Sequence, residues 1–224
     1  MAELRSVCRL DAVYLRVPML YAHLIPSAAL FGFKYHSAEG DIASLLLWLQ
    51  PSECKVPPFA THHCGVGAAV LHKDKLLVVK ERAKPTGWKL PGGYLNLGED
   101  IEVGVRREVE EETGIKAVFE RVLSFRHQHN VQFGRSDIYI ICQLRAESSD
   151  IRVDPEIDEA MWMDIAEFRA QTRHPMLLKI SEILLLTRKK EHDGRMTMTG
   201  FVGETMPSSI RGKEPFTLYS QPLL

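Results

Sequence analysis

The chain has 224 residues, 45% of them hydrophobic and 25% charged, with 28 Lys and Arg against 29 Asp and Glu for a formal charge of −1. That balance excludes a disordered, collagenous or fibrous chain, and it leaves no global basic field to hold nucleic acid or an anionic membrane. Four cysteines without a C-x-x-C pair argue against a disulfide scaffold or a zinc ribbon, and no apolar run reaches the ~20 residues that cross a bilayer.

One catalytic-sized domain with a smaller appendage is the expectation for this length. Met1 to Arg16 carries three arginines but neither the apolar stretch nor the small-residue cleavage site of a secretory signal, so a cytoplasmic compartment is expected, with nuclear and mitochondrial sites left open. Val13 to Val17 reads as a strand, and Pro18 as the start of a helix carrying Leu20, Leu24, Ala28 and Leu30, with Pro26 as an interruption in its middle. Phe33 to His36 and Ile42 to Leu49 read as two strands about the turn Glu39-Gly40-Asp41. The proline-bearing stretch Gln50 to Phe59 is a linker, which makes residues 1 to 58 a small α/β module.

A second domain spans residues 59 to 189. It opens with a hairpin, Gly65 to Leu71 and Leu76 to Val79, about Lys73-Asp74-Lys75. A glycine-rich loop over Gly87 to Gly98 leads into a helix over Glu99 to Glu112, stopped at Thr113-Gly114. Ala117 to Ser124 and Asp137 to Leu144 read as strands, and Glu167 to Arg173 and Pro175 to Lys189 as helices. Residues 190 to 224 form a polar tail, mobile in part, with one short anchored strand at Phe216 to Tyr219.

The chemistry concentrates between Gly93 and Ile115. At ~100° per residue, Glu108, Glu111 and Glu112 share an arc of roughly 100° on one helix, while Glu110 projects to the other side. Like charges at that spacing repel by about 0.2–0.5 kcal/mol per exposed pair, and a cation relieves them. Hard oxygen ligands select Mg²⁺ or Mn²⁺. Pro91-Gly92-Gly93 lets the backbone approach a ligand closely, and Arg107 can reach back to Glu99 and lock the loop against the helix.

Read in order, Gly93, five residues, Glu99, seven residues, Arg107-Glu108-Val109, one residue, Glu111-Glu112, one residue, Gly114-Ile115 satisfies every fixed position of the Nudix box. The chain therefore resembles a Nudix hydrolase. Phe33 to Glu39, Ala60-Thr61-His62, Gly65-Val66-Gly67, Trp88 to Gly93 and Ser136 to Tyr139 resemble one branch of that superfamily, which unites the animal antisense basic-fibroblast-growth-factor Nudix protein with plant ADP-ribose and NADH pyrophosphatases.

That resemblance implies an α/β/α sandwich around a mixed β-sheet, and hydrolysis of a nucleoside diphosphate linked to another moiety, with ADP-ribose or NADH giving AMP. It further implies that Gly92, through its carbonyl, joins Glu108, Glu111 and Glu112 as metal ligands, while Glu99 and Arg107 brace the loop between Gly93 and Gly114. Pro155 to Trp162 resembles the family's E-I-x-x-A-x-W segment, which makes Glu156 the candidate general base and Glu159 a weaker alternate. The alternative reading of Glu156 is a surface carboxylate at a helix start. Ser124 to His129 matches a family segment near the substrate cleft, where Arg126 would meet a phosphate and Gln128 a ribose, with Arg82 and Trp88 flanking the same mouth. Phe133 and Tyr139 read as core or wall.

Two histidine clusters, at His62-His63 and at His127 and His129, would make a zinc site only if the fold brought them together, so solvated or hydrogen-bonded histidines are expected. The partner is a small dinucleotide, with no membrane; a homodimer through the N-terminal module is a further expectation. Two other functions fit the residues: an RNA-decapping Nudix enzyme, disfavoured by the absence of a basic stripe, and a non-hydrolysing nucleotide- or protein-binding module, disfavoured by the intact carboxylates.

Overall fold

The computed structural model describes residues 11–83, 87–192, 200–206 and 216–220. The chain divides into two compact units, Met1–Thr61 and His62–Leu224. Of the four cysteines, Cys54, Cys64 and Cys142 are free, and Cys8 lies outside the described residues.

In the first unit, β1 (Ala12–Pro18), β2 (Lys34–Glu39) and β3 (Ile42–Trp48) form an antiparallel sheet in the order β1-β3-β2. The single helix expected from Pro18 onward is instead two pieces, a 3₁₀ segment Met19–Leu24 and a short α1 (Ile25–Leu30). Pro26 sits in the first turn of α1, where its missing N–H costs nothing, so it begins a helix rather than interrupting one. Val17, Ala28 and Leu45 make the small core.

Alternation builds the second unit. β4 (His62–His72) and β5 (Lys75–Glu81) send Val66, Ala68, Val70 and Leu77 to one face and Ala69, Leu76 and Val78 to the other, all fully buried. The first set packs on Val105 and Val109 of α2 (Ile101–Thr113). The second packs on Phe168 of α3 (Ile165–Gln171) and on Leu177, Ile180 and Leu184 of α4 (Pro175–His192). The result is the α/β/α sandwich, its five strands ordered β6-β7-β4-β5-β8, where β6 is Ala117–Gln132, β7 Arg135–Ala146 and β8 Ile157–Asp164. β4 and β7 run parallel and the other pairs antiparallel, so the sheet is mixed.

Several elements differ from the sequence reading, among them β8, a strand it did not place. β6 runs on past Ser124 to Gln132 as the arm of a hairpin whose turn, Phe133-Gly134, has φ of 51° and 68°. The left-handed turn suits a two-residue hairpin, and it leaves Phe133 84% exposed at the tip rather than in core or wall. α4 extends through His192, and the tail contributes a second strand, β9 (Val202–Met206), antiparallel to β10 (Phe216–Ser220). Tyr219 packs edge-on against Phe119, and Phe201 bridges to Val122. The rest of the expected tail, residues 193–199, 207–215 and 221–224, lies outside the described residues.

Candidate active site

β4 meets β5 only at the hairpin end, Leu71 opposite Leu76 and His72 opposite Lys75. Along its other half the same edge is taken by the glycine loop. The amides of Val66 and Ala68 donate to the carbonyls of Gly93 and Pro91, both at 2.8 Å, and Leu95 donates to the Cys64 carbonyl at 3.0 Å. With the Pro91 and Gly93 carbonyls turned to β4, the Gly92 carbonyl accepts no hydrogen bond among the described residues. Gly92 has φ of 148°, and a Cβ there would lie 2.1 Å from the Val66 carbonyl oxygen, so only glycine fits.

The loop is fastened to α2 by Arg107. Its Nε and Nη2 donate to the two oxygens of Glu99 at 2.7 and 2.9 Å, and Nη2 also reaches the Tyr94 carbonyl at 3.1 Å. This guanidinium, with the Asn96 amide, holds the Glu99 carboxyl down at about 2. Gly114, with φ of 67°, ends α2 in the left-handed cap.

The box glutamates divide between two cations of the protein. Arg107 Nη1 donates to Glu108 at 2.8 Å and to Glu111 at 2.9 Å. Glu112 instead accepts the Gly92 amide at 2.9 Å and lies 3.5 Å from Lys89 Nζ, which is itself 2.5 Å from Glu81. Partial burial pushes the Glu112 carboxyl up to about 7, Glu108 adds to the rise, and Lys89 and the Gly92 amide oppose it. Glu110 is exposed.

Among the described residues, no group of three or more His, Cys, Asp or Glu side chains is already gathered to hold a metal ion. The donor chemistry nonetheless fits a hard divalent cation. Two carboxylates converge on one guanidinium nitrogen, and a third is half-buried, with Lys89 at 3.5 Å, beside a loop whose Gly92 carbonyl accepts no hydrogen bond among the described residues.

Two cavities adjoin Glu112 and its partner Lys89. One, of about 450 Å³, is lined by Glu112, Glu81, Arg82 and Glu156. Glu156 stands in the turn before β8, not at a helix start, and its carbonyl accepts from the Arg82 amide at 3.0 Å. Glu159, on β8, is paired with Lys80 at 3.0 Å. The other cavity, of about 340 Å³, has Trp88, Lys89, Arg126 and Tyr139 in its wall. Arg82 and Trp88 therefore flank different cavities. Gln128 is exposed on β6 and lies outside both linings.

Arg126 is held by the buried Asp137 at 2.5 Å and lies over the Tyr139 ring, 5.3 Å from its centre. Tyr139 itself crosses β4 at Gly65 and Gly67, where any Cβ would strike its ring. The sequence reading missed Gln171, Arg173 and His174, which the connection between α3 and α4 adds to this wall, and Lys89. No local motif marks the α3–α4 connection; for Lys89 the signal was its place between Trp88 and the Pro-Gly-Gly turn.

The fold does join the histidine clusters. His62 and His127 approach Nε2 to Nε2 at 2.9 Å, and His129 Nδ1 lies 2.9 Å from the Ser136 hydroxyl.

Comparison with known proteins agrees with this geometry. The NUDIX domain model matches residues 61–182, and a Nudix hydrolase domain model matches residues 5–49. The chain belongs to the Nudix family. It is 44% identical to Nudix hydrolase 8 of Arabidopsis thaliana over 71% of this chain and 45% of that protein. It is 39% identical to nucleoside diphosphate-linked moiety X motif 6 of Homo sapiens over 81% of this chain and 60% of that protein. The chain thus spans about half the length of these curated relatives. A NUDIX hydrolase structure from Nitrosomonas europaea shares the fold, with a TM-score of 0.53, 19% identity, and coverage of 73% of this chain and 89% of that one. Among the described residues no helix is long and apolar enough to cross a membrane.

Proposed function

We propose that the chain hydrolyses the pyrophosphate bond of a nucleoside diphosphate linked to another moiety, with ADP-ribose or NADH as substrate and AMP as product. The observation that carries this reading is Glu112, a half-buried carboxylate set on the Gly92 amide, which lines a cavity together with Glu156 and whose partner Lys89 lines a second one. In this reading Glu108, Glu111, Glu112 and the Gly92 carbonyl hold Mg²⁺ or Mn²⁺. The cation supplies charge to offset the two phosphoryl groups and acidity to the attacking water.

The chain's own residues do the rest. Glu156 accepts the proton of the water as its oxygen attacks phosphorus and the bridging P–O bond breaks. Arg126 meets phosphoryl oxygen and Arg82 lies beside the attacking side; Gln128, outside both cavities, is given no contact with the ribose. Glu99 and Arg107 keep the Gly92 carbonyl and the helix carboxylates in fixed relation. The same reading takes residues 1–58 as a dimerising module, 59–189 as the hydrolase domain and 190–224 as an appended tail.

The test is product analysis with ADP-ribose and NADH in the presence and absence of Mg²⁺ or Mn²⁺. Glu111→Gln is expected to lose most turnover while its circular dichroism stays that of the parent. Parent-like turnover in that variant would refute the metal assignment.

A further inference from the structure

The cavity beside Lys89 is unusual in its charge. Lys89, Arg126, Arg173 and His174 stand in its wall, and no Asp or Glu does among the described lining residues. Two of these cations are already balanced from behind: Lys89 by Glu81 and Glu112, and Arg126 by buried Asp137. Even so, Arg126 Nε is buried without a hydrogen-bond partner. Arg173 has no such partner among the described residues. Its Nη1 reaches only the Ala170 carbonyl at 3.5 Å, and no carboxylate pairs with it among the described residues. A cavity walled by donors and lacking acceptors of the opposite charge selects an anion, and an Arg fork beside an imidazole and the Gln171 amide suits the several oxygens of a phosphate.

The position matters as much as the sign. On the reading just proposed, on which this inference rests, the pyrophosphate lies at the Lys89 end, against Glu112. Arg173 and His174 come from the connection between α3 and α4, a different stretch of chain from the loop that carries Lys89, and are assigned here to the other half of the substrate. We infer that this cavity takes a nucleotide half that carries its own phosphate monoester, so that, within the class of nucleoside diphosphate derivatives proposed above, those with a third phosphate away from the scissile bond are preferred over ADP-ribose and NADH, and that Arg173 determines this specificity.

Matched pairs that differ only in that monoester test it: NADPH against NADH, and coenzyme A against dephospho-coenzyme A. Equilibrium binding to the full chain, measured by calorimetry in EDTA so that nothing is hydrolysed, is expected to favour the phosphorylated member of each pair by about tenfold. Arg173→Gln brings the two members to within about twofold, and Arg173→Lys retains part of the preference because the charge remains. Equal affinity within the pairs in the parent protein, binding of neither member, or a preference that survives Arg173→Gln overturns the inference. Turnover of the same four compounds with Mg²⁺ separates the two readings. A binding preference without cleavage of any of them sinks the hydrolase assignment and upholds the cavity's, whereas cleavage of all four at equal kcat/KM alongside equal binding does the reverse.

Discussion

Arg107 holds Glu99 with two of its nitrogens, Nε on Oε1 at 2.7 Å and Nη2 on Oε2 at 2.9 Å, and this fork ties the glycine loop to the box helix. The third nitrogen, Nη1, is shared between Glu108 and Glu111. One guanidinium therefore sets both the loop position and the direction of two carboxylates.

Lysine keeps the charge of Arg107 but cannot form the fork. Arg107→Lys should speed hydrogen exchange at the Asn96 amide, which donates to Glu99 at 2.8 Å, and should lower turnover by at least about tenfold by misplacing the carboxylates. An exchange rate unchanged from the parent would remove the bracing role.

Glu112→Gln separates function from stability. The amide retains an oxygen for the Gly92 N–H and removes a half-buried charge that Lys89 compensates only from 3.5 Å. In cation-free buffer the variant should be as stable as the parent or more so, by up to about 1 kcal/mol, because a partly desolvated, poorly compensated carboxylate costs more than an amide in the same place. Its affinity for Mn²⁺ should fall sharply. Urea denaturation in EDTA, paired with a Mn²⁺ titration, checks both; a clear loss of stability would mean that Lys89 and Glu112 form a net stabilising pair.

Lys89 competes for the carboxylates a divalent cation would need. Lys89→Met should therefore bind Mn²⁺ several-fold more tightly while losing turnover, since the substrate loses a cation from the cavity wall. Weaker Mn²⁺ binding in this variant would contradict the competition.

Gly92→Ala tests the loop's seat on β4. A Cβ 2.1 Å from the Val66 carbonyl oxygen, at φ of 148°, forces the loop off the strand, and a loss of about 3 kcal/mol or more is expected on denaturant unfolding. Parent-like stability would show that the loop finds another seat at little cost.

Much of this molecule is written in short-range pattern. The box helix from Ile101 to Thr113, its Gly114 cap and the shared arc of Glu108, Glu111 and Glu112 follow from residue spacing, because a helix repeats its contacts every three or four residues. The two-sided burial of β4 and β5 shows likewise in their unbroken apolar runs. Tertiary structure decided what spacing leaves open. Helical position placed three glutamates on one arc, yet Glu111 and Glu108 turn to Arg107 while Glu112 turns to the loop, because each carboxylate takes the nearest donor that the packed backbone offers. The seating of Pro91 and Gly93 on β4, the parallel partnership of β4 with β7, and β9's place beside β10 are pairings between distant segments that no local period encodes. The charge of the cavity is of the same kind: Lys89, Arg126 and Arg173 come from three separate stretches of chain, and only folding sets them around one space.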